Sequence, residues 1–581
     1  MAAKQPVVAA AASGHPKMGE EKLIIRPEKV RFIDVLSMLL LRRPITSYAF
    51  VEAGDRTAAD LGSTPGDWLV ALTQVIQKAL AGAYYPALVV GAVVEFLLNF
   101  VALNNGILGI FLNLFRCKLV IPLNREAPNF RSMIGMIDGR TELKPLPASG
   151  GPEDRRLQVV GVSAAAGSGG DDYYLDVESG SAAVPLVQQQ YVNGRLVRLR
   201  TFSVFEVSMM AAKIAYENAA YIENVVNNVW KKEWHSLAEM AGFIDRGKNH
   251  FDISKDNSFM DDKSSIIIVL EFLLDSDAFH FVGFYNCWNK FVGDHTTQAF
   301  VFTDKAEDAS VVVVSFRGTE PFNMRDWSTD VNLSWLGMGE LGHVHVGFLK
   351  ALGLQEEDGK DATRAFPKAA PNAVPGKPLA YYALREEVQK QLQKHPNANV
   401  VVTGHSLGAA LATIFPALLA FHGERGVLDR LLSVVTYGQP RVGDKVFAGY
   451  VRANVPVEPL RVVYRYDVVP RVPFDAPPVA DFAHGGTCVY FDGWYKGREI
   501  AKGGDAPNKN YFDPRYLLSM YGNAWGDLFK GAFLWAKEGK DYREGAVSLL
   551  YRATGLLVPG IASHSPRDYV NAVRLGSVAS A

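Results

Sequence analysis

The hydrophobic pattern of this chain changes character near position 265. Beyond that point, short runs rich in β-branched residues, such as ASVVVVSFRGT, NVVVTGHS, LSVVTYG and LRVVYRYD, alternate with helical stretches such as ALREEVQKQLQKH. Strands that alternate with helices are typical of a sheet with crossover connections. The pattern therefore predicts an α/β fold over 265–581.

The longest apolar stretch lies far upstream, at 81–115. Glu95 is the only charged residue of this stretch, and basic residues follow directly after the stretch ends. About 20 apolar residues are enough to cross a bilayer, but Pro86 and the turn-like Asn-Asn-Gly at 104–106 divide the stretch into a longer and a shorter piece. The pattern favours a shallow hairpin at a lipid interface, with a transmembrane helix or a buried helical pair as alternatives.

Three further segments complete the organisation. Residues 22–44 mix basic and apolar positions as an interfacial amphipathic helix does. The segment 147–172 is rich in Gly, Ala, Ser and Asp, which predicts a flexible loop, whereas 205–240 has helical spacing. We expect a disordered N-terminus at 1–21, a mainly α-helical lipid-associating region at 22–130, a connecting region at 131–264 and the α/β domain at 265–581.

Composition narrows the functional classes. The 581 residues suffice for a catalytic domain with accessory regions, and 60 Lys+Arg against 61 Asp+Glu give no reason to expect nucleic acid as a partner. Three scattered cysteines indicate neither a disulfide framework nor a thiolate metal site, and we expect no metal or cofactor. The N-terminal residues lack the apolar run of a secretory signal, so we expect a cytosol-facing protein. Composition leaves the oligomeric state open.

The most informative motif is Gly404-His405-Ser406-Leu407-Gly408. It follows a β-branched run and precedes a helical stretch rich in small residues, which is the strand, turn and helix order of a nucleophile elbow. The glycines are needed because a side chain two positions from the serine would collide with the neighbouring strand or helix. The motif predicts Ser406 as a nucleophile.

A serine nucleophile needs a histidine to take its proton and a carboxylate to orient that histidine. In this architecture the acid follows the serine and the histidine follows the acid. Asp467 comes directly after the apolar run 460–466, at the end of a predicted strand, and is our choice for the acid. The competitors Asp444 and Asp475 lie in turn sequences, where a capping role is the commoner use of Asp.

Two histidines follow Asp467, namely His484 and His564. His484 precedes a β-like run, where a structural histidine is plausible. His564 precedes the final helix, in the expected late loop, and we predict it as the catalytic base.

The negative charge that develops on the substrate carbonyl oxygen needs donors already in place. The backbone N–H of Leu407, directly after the nucleophile, is the first candidate. The second comes from the turn after an earlier strand, in Phe316-Arg317-Gly318-Thr319, where Thr319 offers an amide and a hydroxyl. An ordinary strand-to-loop turn is the alternative interpretation of this segment.

Together these motifs resemble the class 3 lipases, a family that includes the small fungal triacylglycerol lipases. The resemblance covers about 265–581 and rests on six blocks in the family's order, FRGT at 316, VHVGF at 344, GHSLG at 404, YGQPRVG at 437, DVVP at 467 and the late His564. It implies an α/β-hydrolase fold, a triad of Ser406, Asp467 and His564, Thr319 as an oxyanion-binding residue, and a lid that includes 325–327. The chain departs from the family at Ala409, where many relatives carry glycine.

A larger departure is the distance from Asp467 to His564, 97 positions, which includes the apolar and aromatic run 516–537. The resemblance therefore transfers mechanism more safely than substrate preference. Joined to the apolar N-terminal region, it is closest to the plant oil-body lipases. It implies an enzyme that hydrolyses tri-, di- or monoacylglycerols at a lipid droplet, or at the membrane of the endoplasmic reticulum. The alternatives are a phospholipase A1 or galactolipase of the same fold, and a catalytically silent scaffold.

Overall fold

The computed structural model describes residues 20–65, 68–144, 204–230, 278–372, 374–500, 504–508, 511 and 513–579, with two short strands at 190–192 and 195–197. The strands are β1 Lys22–Ile25, β2 Val51–Ala53, β3 Gln190–Val192, β4 Arg195–Val197, β5 Ala278–Asn289, β6 Asp294–Lys305, β7 Val311–Phe316, β8 Trp335–Gly337, β9 His343–His345, β10 Asn399–His405, β11 Leu431–Tyr437, β12 Leu460–Tyr464, β13 Thr487–Phe491, β14 Lys496–Ile500 and β15 Ser577–Ala579. The α-helices are α1 Phe32–Leu41, α2 Asp55–Leu61, α3 Trp68–Leu103, α4 Gly106–Phe115, α5 Met133–Ile137, α6 Val204–Ile214, α7 Ala219–Asn224, α8 Met324–Asp330, α9 Val346–Leu352, α10 Ala362–Ala365, α11 Ala380–Lys394, α12 Leu407–Phe421, α13 Arg425–Leu428, α14 Lys445–Asn454, α15 Leu517–Glu538, α16 Ala546–Thr554 and α17 Pro566–Leu575.

The largest sheet has nine strands among the described residues, in the order β15-β14-β13-β12-β11-β10-β7-β6-β5. Strands β7 and β10 to β13 are parallel, and β5 and β6 extend the sheet antiparallel at one side. Along β7, Val312 and Val314 face the layer of α11 and α12, whereas Val311 and Val313 face α6 and α17. Because helices cover both faces, the strand is apolar throughout. The predicted α/β-hydrolase fold is confirmed.

The N-terminal region is joined to this domain by strand pairing. Strands β2-β1-β8-β9 form an antiparallel sheet in that order, with Leu23 opposite Trp335. Residues 22–44 are therefore not one amphipathic helix, because the apolar run Lys22–Ile25 is a buried strand and the helix begins only at Phe32. Helix α1 keeps the expected two-sided character, with Met38 buried and its outer apolar side chains exposed.

Helix α3 continues through Pro86 as far as Leu103. Proline removes one backbone hydrogen bond, and a helix of 36 residues is long enough to continue across that gap. The helix ends at Asn104, and Asn105 has a left-handed φ of 59° before α4 begins. The expectation that Pro86 also divides the stretch is wrong.

After α4 the chain returns along α3. The Asn104 side chain donates to the Val120 carbonyl at 2.7 Å and accepts the Val120 N–H at 3.0 Å. Asn99 makes the same paired contact with Arg131, at 2.9 Å in both directions. The segment 116–131 therefore runs back beside the end of α3, as in a hairpin.

Most large apolar side chains of α3 and α4 face outward. The exposed ones include Tyr85, Leu88, Val89, Val93, Leu97, Ile107, Leu108, Phe111, Leu114 and Phe115. The alternative of a buried helical pair is thus wrong for the single chain. By length and composition alone, α3 is also able to cross a membrane.

The helical run expected over 205–240 is divided in two. Helix α6 is followed by α7, which Asn218 caps, and by a π-helical turn at Val225–Trp230. Residues 231–240 and the loop expected at 147–172 lie outside the described residues. Helix α6 packs across β10 and β11 and brings Tyr216, just beyond its end, to the carboxyl end of β10.

Candidate active site

Ser406 lies on the sharp turn between β10 and α12. Its backbone has φ 60° and ψ −131°, a conformation that non-glycine residues rarely adopt. The flanking glycines are required by close approach, since a Cβ on Gly404 or Gly408 would lie 2.3 Å from the backbone of Gly408 or of Phe316, respectively. The turn therefore holds the serine side chain at the end of the central strands.

Two further predicted residues meet Ser406 there. His564, on a 3₁₀ turn before α17, has its Nε2 atom 2.8 Å from Ser406 Oγ. Its Nδ1 atom lies 2.8 Å from Oδ2 of Asp467, which follows β12. All three side chains are buried. The structure thus brings the three residues into one hydrogen-bonded chain, although 158 positions separate the serine from the histidine.

Asp467 has two further hydrogen-bond donors. The Val469 N–H binds Oδ1 at 2.9 Å, and the Tyr569 hydroxyl binds the same Oδ2 atom that faces His564. Burial, followed by the nearby Asp467 carboxylate, raises the pKa of Tyr569 well above its usual value. The phenol therefore keeps its proton and can donate to the carboxylate. Sequence reasoning did not identify Tyr569, whose position five residues after His564 is the only signal it offers.

His405 and Tyr216 form a second buried layer behind the triad. The His405 ring stacks on that of His564 with centroids 4.5 Å apart, and its Nε2 atom lies 3.1 Å from the His564 carbonyl oxygen. Burial, then the neighbouring His564, lowers the pKa of His405 well below its usual value. Since a carbonyl only accepts, Nε2 carries the proton and Nδ1 accepts from the Tyr216 hydroxyl at 2.8 Å. Nothing local in the sequence connects Tyr216, 189 positions upstream, with this site.

Gly318 and Thr319 lie directly beside the nucleophile. A Cβ on Gly318 would lie 2.9 Å from the Ser406 Cβ and 2.4 Å from the His405 carbonyl oxygen. The Thr319 hydroxyl donates to Asp330 Oδ2 at 3.0 Å, which leaves its backbone N–H for another acceptor. Leu407 is the first residue of α12, so its N–H has no acceptor within the helix. The amides of Leu407 and Thr319 therefore remain the predicted oxyanion-binding donors.

Comparison with known proteins gives the family. Residues 313–476 match the family model described as lipase (class 3). The chain is 31% identical to triacylglycerol lipase OBL1 of Arabidopsis thaliana, over 97% of this chain and 96% of that protein. It is 32% identical to triacylglycerol lipase OBL1 of Ricinus communis, over 95% and 94%. The chain belongs to the class 3 lipases.

The lipase is thus a carboxylic ester hydrolase, as the resemblance implied. A shorter match, 28% identical over 28% of this chain and 39% of the other protein, is to phospholipase A1-II 1 of Oryza sativa subsp. indica. The triacylglycerol lipases match nearly the whole chain, whereas the phospholipase matches only part of it.

Helix α8 of the lipase covers the triad at the position predicted for a lid. The Trp327 ring meets the His564 ring edge-on, with centroids 6.1 Å apart. The neighbouring Asp326 is buried, and this burial raises the pKa of its carboxyl to about 7. Burial, then the nearby Asp326, raises the pKa of Asp330 well above its usual value. Burial beside the triad therefore raises the pKa values of both carboxyls on this helix.

The lid segment is held from outside by α3. Gln77 donates to the Ser328 carbonyl at 3.0 Å, and the Arg325 guanidinium lies 4.1 Å from the centre of the Tyr84 ring. The Phe322 ring packs on Gly91 so closely that a Cβ there would approach it to 2.7 Å. The apolar helix and the lid are thus one packed unit.

The rejected candidates have other partners. His484 is buried and its Nε2 atom lies 2.8 Å from the Pro470 carbonyl oxygen, away from Ser406. Asp444 caps α14 by accepting the Phe447 N–H at 2.8 Å. Asp475 is not hydrogen bonded to His564, whose Nδ1 faces Asp467.

Proposed function

We propose that the lipase hydrolyses acylglycerol esters with Ser406 as the nucleophile, His564 as the general base and Asp467 as the residue that orients the histidine. The observation that carries the proposal is the continuous chain of hydrogen bonds from Ser406 Oγ through both His564 nitrogens to Asp467, each 2.8 Å long. A serine hydroxyl becomes a competent nucleophile when such a base removes its proton.

The reaction has two halves. His564 Nε2 takes the Ser406 proton while Oγ bonds to the ester carbonyl carbon, and the same proton then passes to the departing glyceride alkoxide as the C–O bond breaks. Water next attacks the acyl-serine ester, with His564 taking the water's proton and returning it to Ser406. Oδ2 of Asp467 accepts the hydrogen bond from the Nδ1 proton of the imidazolium.

In this proposal, the backbone N–H groups of Leu407 and Thr319 donate hydrogen bonds to the negative oxygen of each tetrahedral intermediate. Donors fixed before the reaction stabilise the transition state without reorganising, and one such donor contributes about 3 kcal/mol. Asp330 supports this role because it holds the Thr319 hydroxyl at 3.0 Å and so keeps the amide in place.

The same enzyme is proposed to work at the surface of a lipid droplet. The support is the outward face of α1, α3 and α4, whose exposed leucine, valine, isoleucine and phenylalanine side chains form an apolar surface on the single chain. Apolar surface of this extent is stable when lipid covers it.

An arrangement in the plane of the interface fits α3 better than a span. Its inner side contacts the hydrolase along the helix, through Gln77 on Ser328, Gly91 on Phe322 and Glu95 on the Met133 N–H. A span would have to break these contacts, whereas a hairpin lying on the monolayer of a droplet keeps them. The membrane of the endoplasmic reticulum is the second candidate surface.

The phospholipase A1 or galactolipase alternative is favoured by the match to the rice phospholipase. The silent scaffold has less support, because the chain belongs to a family of ester hydrolases and the three candidate catalytic residues lie within hydrogen-bond distance of one another.

One lipid assay tests the proposal. The full-length wild-type and Ser406→Ala lipases are incubated with emulsified tri-, di- and monoacylglycerols and with phosphatidylcholine and galactolipid vesicles, and the products are measured by mass spectrometry. We expect fastest release from an acylglycerol and none from the variant. Faster release of the sn-1 acyl chain from a phospholipid or galactolipid would favour the alternative, and equal release by Ser406→Ala would exclude Ser406 as the nucleophile.

A further inference from the structure

Helix α15 lies in the long insertion between Asp467 and His564, and its outer face is apolar. Leu517, Leu518, Tyr521, Trp525, Phe529 and Phe533 are exposed. Side chains three or four residues apart share one face of a helix. The outer face of α15 is therefore a stripe of aliphatic and aromatic groups about 25 Å long at 1.5 Å per residue.

Before its last two residues, Lys537 and Glu538, the charged residues of this helix point inward. Between 517 and 536 they are Asp527 and Lys530, both buried and 3.0 Å apart. Asp527 also accepts from Tyr464 and from Asn523, both at 3.0 Å, and Lys530 donates to the Gly493 carbonyl at 2.8 Å. A helix that faces water has the opposite polarity, with its charges outside. The outer face of α15 thus lacks the charge that water would favour.

Further exposed apolar side chains lie on and just after the next helix, α16, whose inner side packs on the segment that α3 contacts. Leu550 on α16 and Leu557 and Val558 just after it are exposed. On its inner side α16 packs Val547 and Tyr551 against α5, and Met133 of α5 binds Glu95 of α3. Contacts thus connect α15 with α3 through α16 and α5.

The contacts that connect α15 with α3 pass beside the candidate catalytic residues. Tyr551 donates to the Ile561 carbonyl at 3.1 Å, three residues before His564, and Ser563 donates to Asp527 at 3.3 Å. Near Asp467, the Tyr466 hydroxyl is 2.6 Å from Ser519 Oγ on α15. The apolar face of α15 is therefore built on the loops that carry two members of the triad.

We infer that the outer face of α15 and α16 is a second lipid-contacting surface, which rests on the acyl layer of the droplet together with α3 and α4. The inference rests on the proposed action at a lipid surface. Lipid is the occupant that the observations favour, because the face is aromatic and aliphatic, carries no charge between 517 and 536, and belongs to a helix that contacts link to α3 through α16 and α5. A second copy of the chain is the competing occupant. With lipid as the occupant, α3 and α15 both rest on the surface that supplies the substrate.

Site-specific quenching distinguishes these outcomes. In the full-length chain with its exposed Cys117 changed to Ser, one cysteine is introduced at Phe529 on α15, at Leu108 on α4, or at Val446 on the hydrolase domain, all of them exposed positions. Each is labelled with an environment-sensitive fluorophore and mixed with triacylglycerol droplets coated with phosphatidylcholine that carries bromine on its acyl chains. We expect strong quenching at 529 and 108 and none at 446.

The other results have separate meanings. Quenching at 108 without quenching at 529 would overturn this inference and leave the droplet proposal standing, whereas no quenching at either position would contradict both. A fluorophore at 529 that becomes shielded with rising protein concentration, without bromine quenching, would identify a second copy as the occupant and also overturn the inference.

A triple variant of α15 and a double control variant measure how this surface affects turnover on droplets. The triple change Trp525→Glu, Phe529→Glu and Phe533→Glu is compared with Val374→Glu and Val446→Glu, which are exposed elsewhere. We expect the triple variant to keep its circular dichroism spectrum and its kcat/KM on a soluble short-chain ester, and to lose about tenfold in rate on droplets. An unchanged droplet rate in the folded triple variant would overturn the inference.

Discussion

Helices α12 and α3 are both strongly apolar and both contain a proline, yet they have opposite surroundings. Every residue of α12 from Leu407 to Leu419 is buried, whereas the large side chains of α3 are mostly exposed. Apolar composition therefore shows only that a helix avoids water. It does not show whether protein or lipid replaces the water.

The difference between them lies in where the small and polar residues are. Helix α12 begins with glycine and alanine, which let it approach the backbone of Phe316. On helix α3, the small or polar residues Gly91, Gln77 and Asn99 face the protein. A buried helix thus uses small residues to pack, and a surface helix uses polar ones to hold its inner side.

The largest expected effect separates chemistry from attachment. Changing Ser406→Ala at the start of α12 removes one hydroxyl, so ester turnover should fall at least about a thousandfold while the thermal midpoint stays the same. Flotation with droplets should not change, because α3 and α4 are intact. Turnover on a short soluble ester, differential scanning fluorimetry and flotation measure the three quantities.

Two histidine variants control this result. His564→Ala should match the serine variant, whereas His484→Ala removes an equally buried ring whose partner is the Pro470 carbonyl. The second change should lower the free energy of unfolding by about 1–3 kcal/mol and preserve turnover per folded molecule. Turnover lost only in His484→Ala would reverse the assignment.

A pair of leucines tests the contrast between the buried helix α12 and the exposed apolar surface that α4 shares with α3. Leu411→Glu on α12 places a charge in the buried core. This change should lower the free energy of unfolding by more than about 4 kcal/mol and so prevent folding. Leu108→Glu, on exposed α4, should leave the free energy of unfolding almost unchanged. It should instead weaken droplet binding, by about 2.5–3.5 kcal/mol if the position reaches the apolar layer.

Chemical denaturation and droplet flotation measure these two outcomes. A folded Leu411→Glu protein would show that α12 is less enclosed than its burial indicates. Unchanged flotation of Leu108→Glu would mean that α4 does not contact lipid.

The parts that the sequence could predict are those in which position follows from local pattern. The strand, Gly-x-Ser-x-Gly turn and helix around Ser406 need only neighbouring residues, and Asp467 follows from the end of a strand. His564 needed the additional rule of chain order. All three meet in the structure, and their catalytic roles remain predictions for the experiments above.

What could not be predicted depends on contacts between distant segments. Tyr216 and Tyr569 reach the triad through the packing of α6 and α17, which no local pattern encodes. Pro86 suggested a break in the helix because proline removes a backbone hydrogen bond. The helix nevertheless continues through Pro86, because the length of α3 outweighs the loss of that one bond. The strand at 22–25 was missed because its partner, Trp335, lies more than 300 positions away.

A smaller effect is expected where α3 holds the lid. Gly91→Ala would place a Cβ 2.7 Å from Phe322 and so displace that ring, whereas Gly82→Ala on the same helix meets no atom within 4 Å. We expect Gly91→Ala to raise turnover of a soluble ester a few-fold, because the lid opens more often, and to lower the ratio of emulsion rate to soluble rate. Gly82→Ala should match the wild type, and identical ratios in all three proteins would contradict control of the lid by α3.

The smallest expected effect is the pH dependence of lid opening. Burial in the closed lid raises the pKa of Asp326 to about 7, although Arg317 opposes that shift. An open lid would return the pKa of this carboxyl towards its ordinary value near 4.

Between about pH 4 and pH 7 the closed form therefore binds the proton and the open form releases it. Rising pH thus favours opening of the lid, and this effect levels off above pH 7. Burial, then the nearby Asp326, also raises the pKa of Asp330, and this shift has the same direction. We expect the ratio of emulsion rate to soluble-ester rate to fall a few-fold as pH rises through this window, since opening removes only part of the burial. Taking a ratio cancels any effect of pH on the chemical step, because both rates share that step. Asp326→Asn keeps the hydrogen-bonding shape without this titrating proton, so its ratio should fall less steeply over the same interval. A slope equal to that of the wild type would show that another group controls the lid.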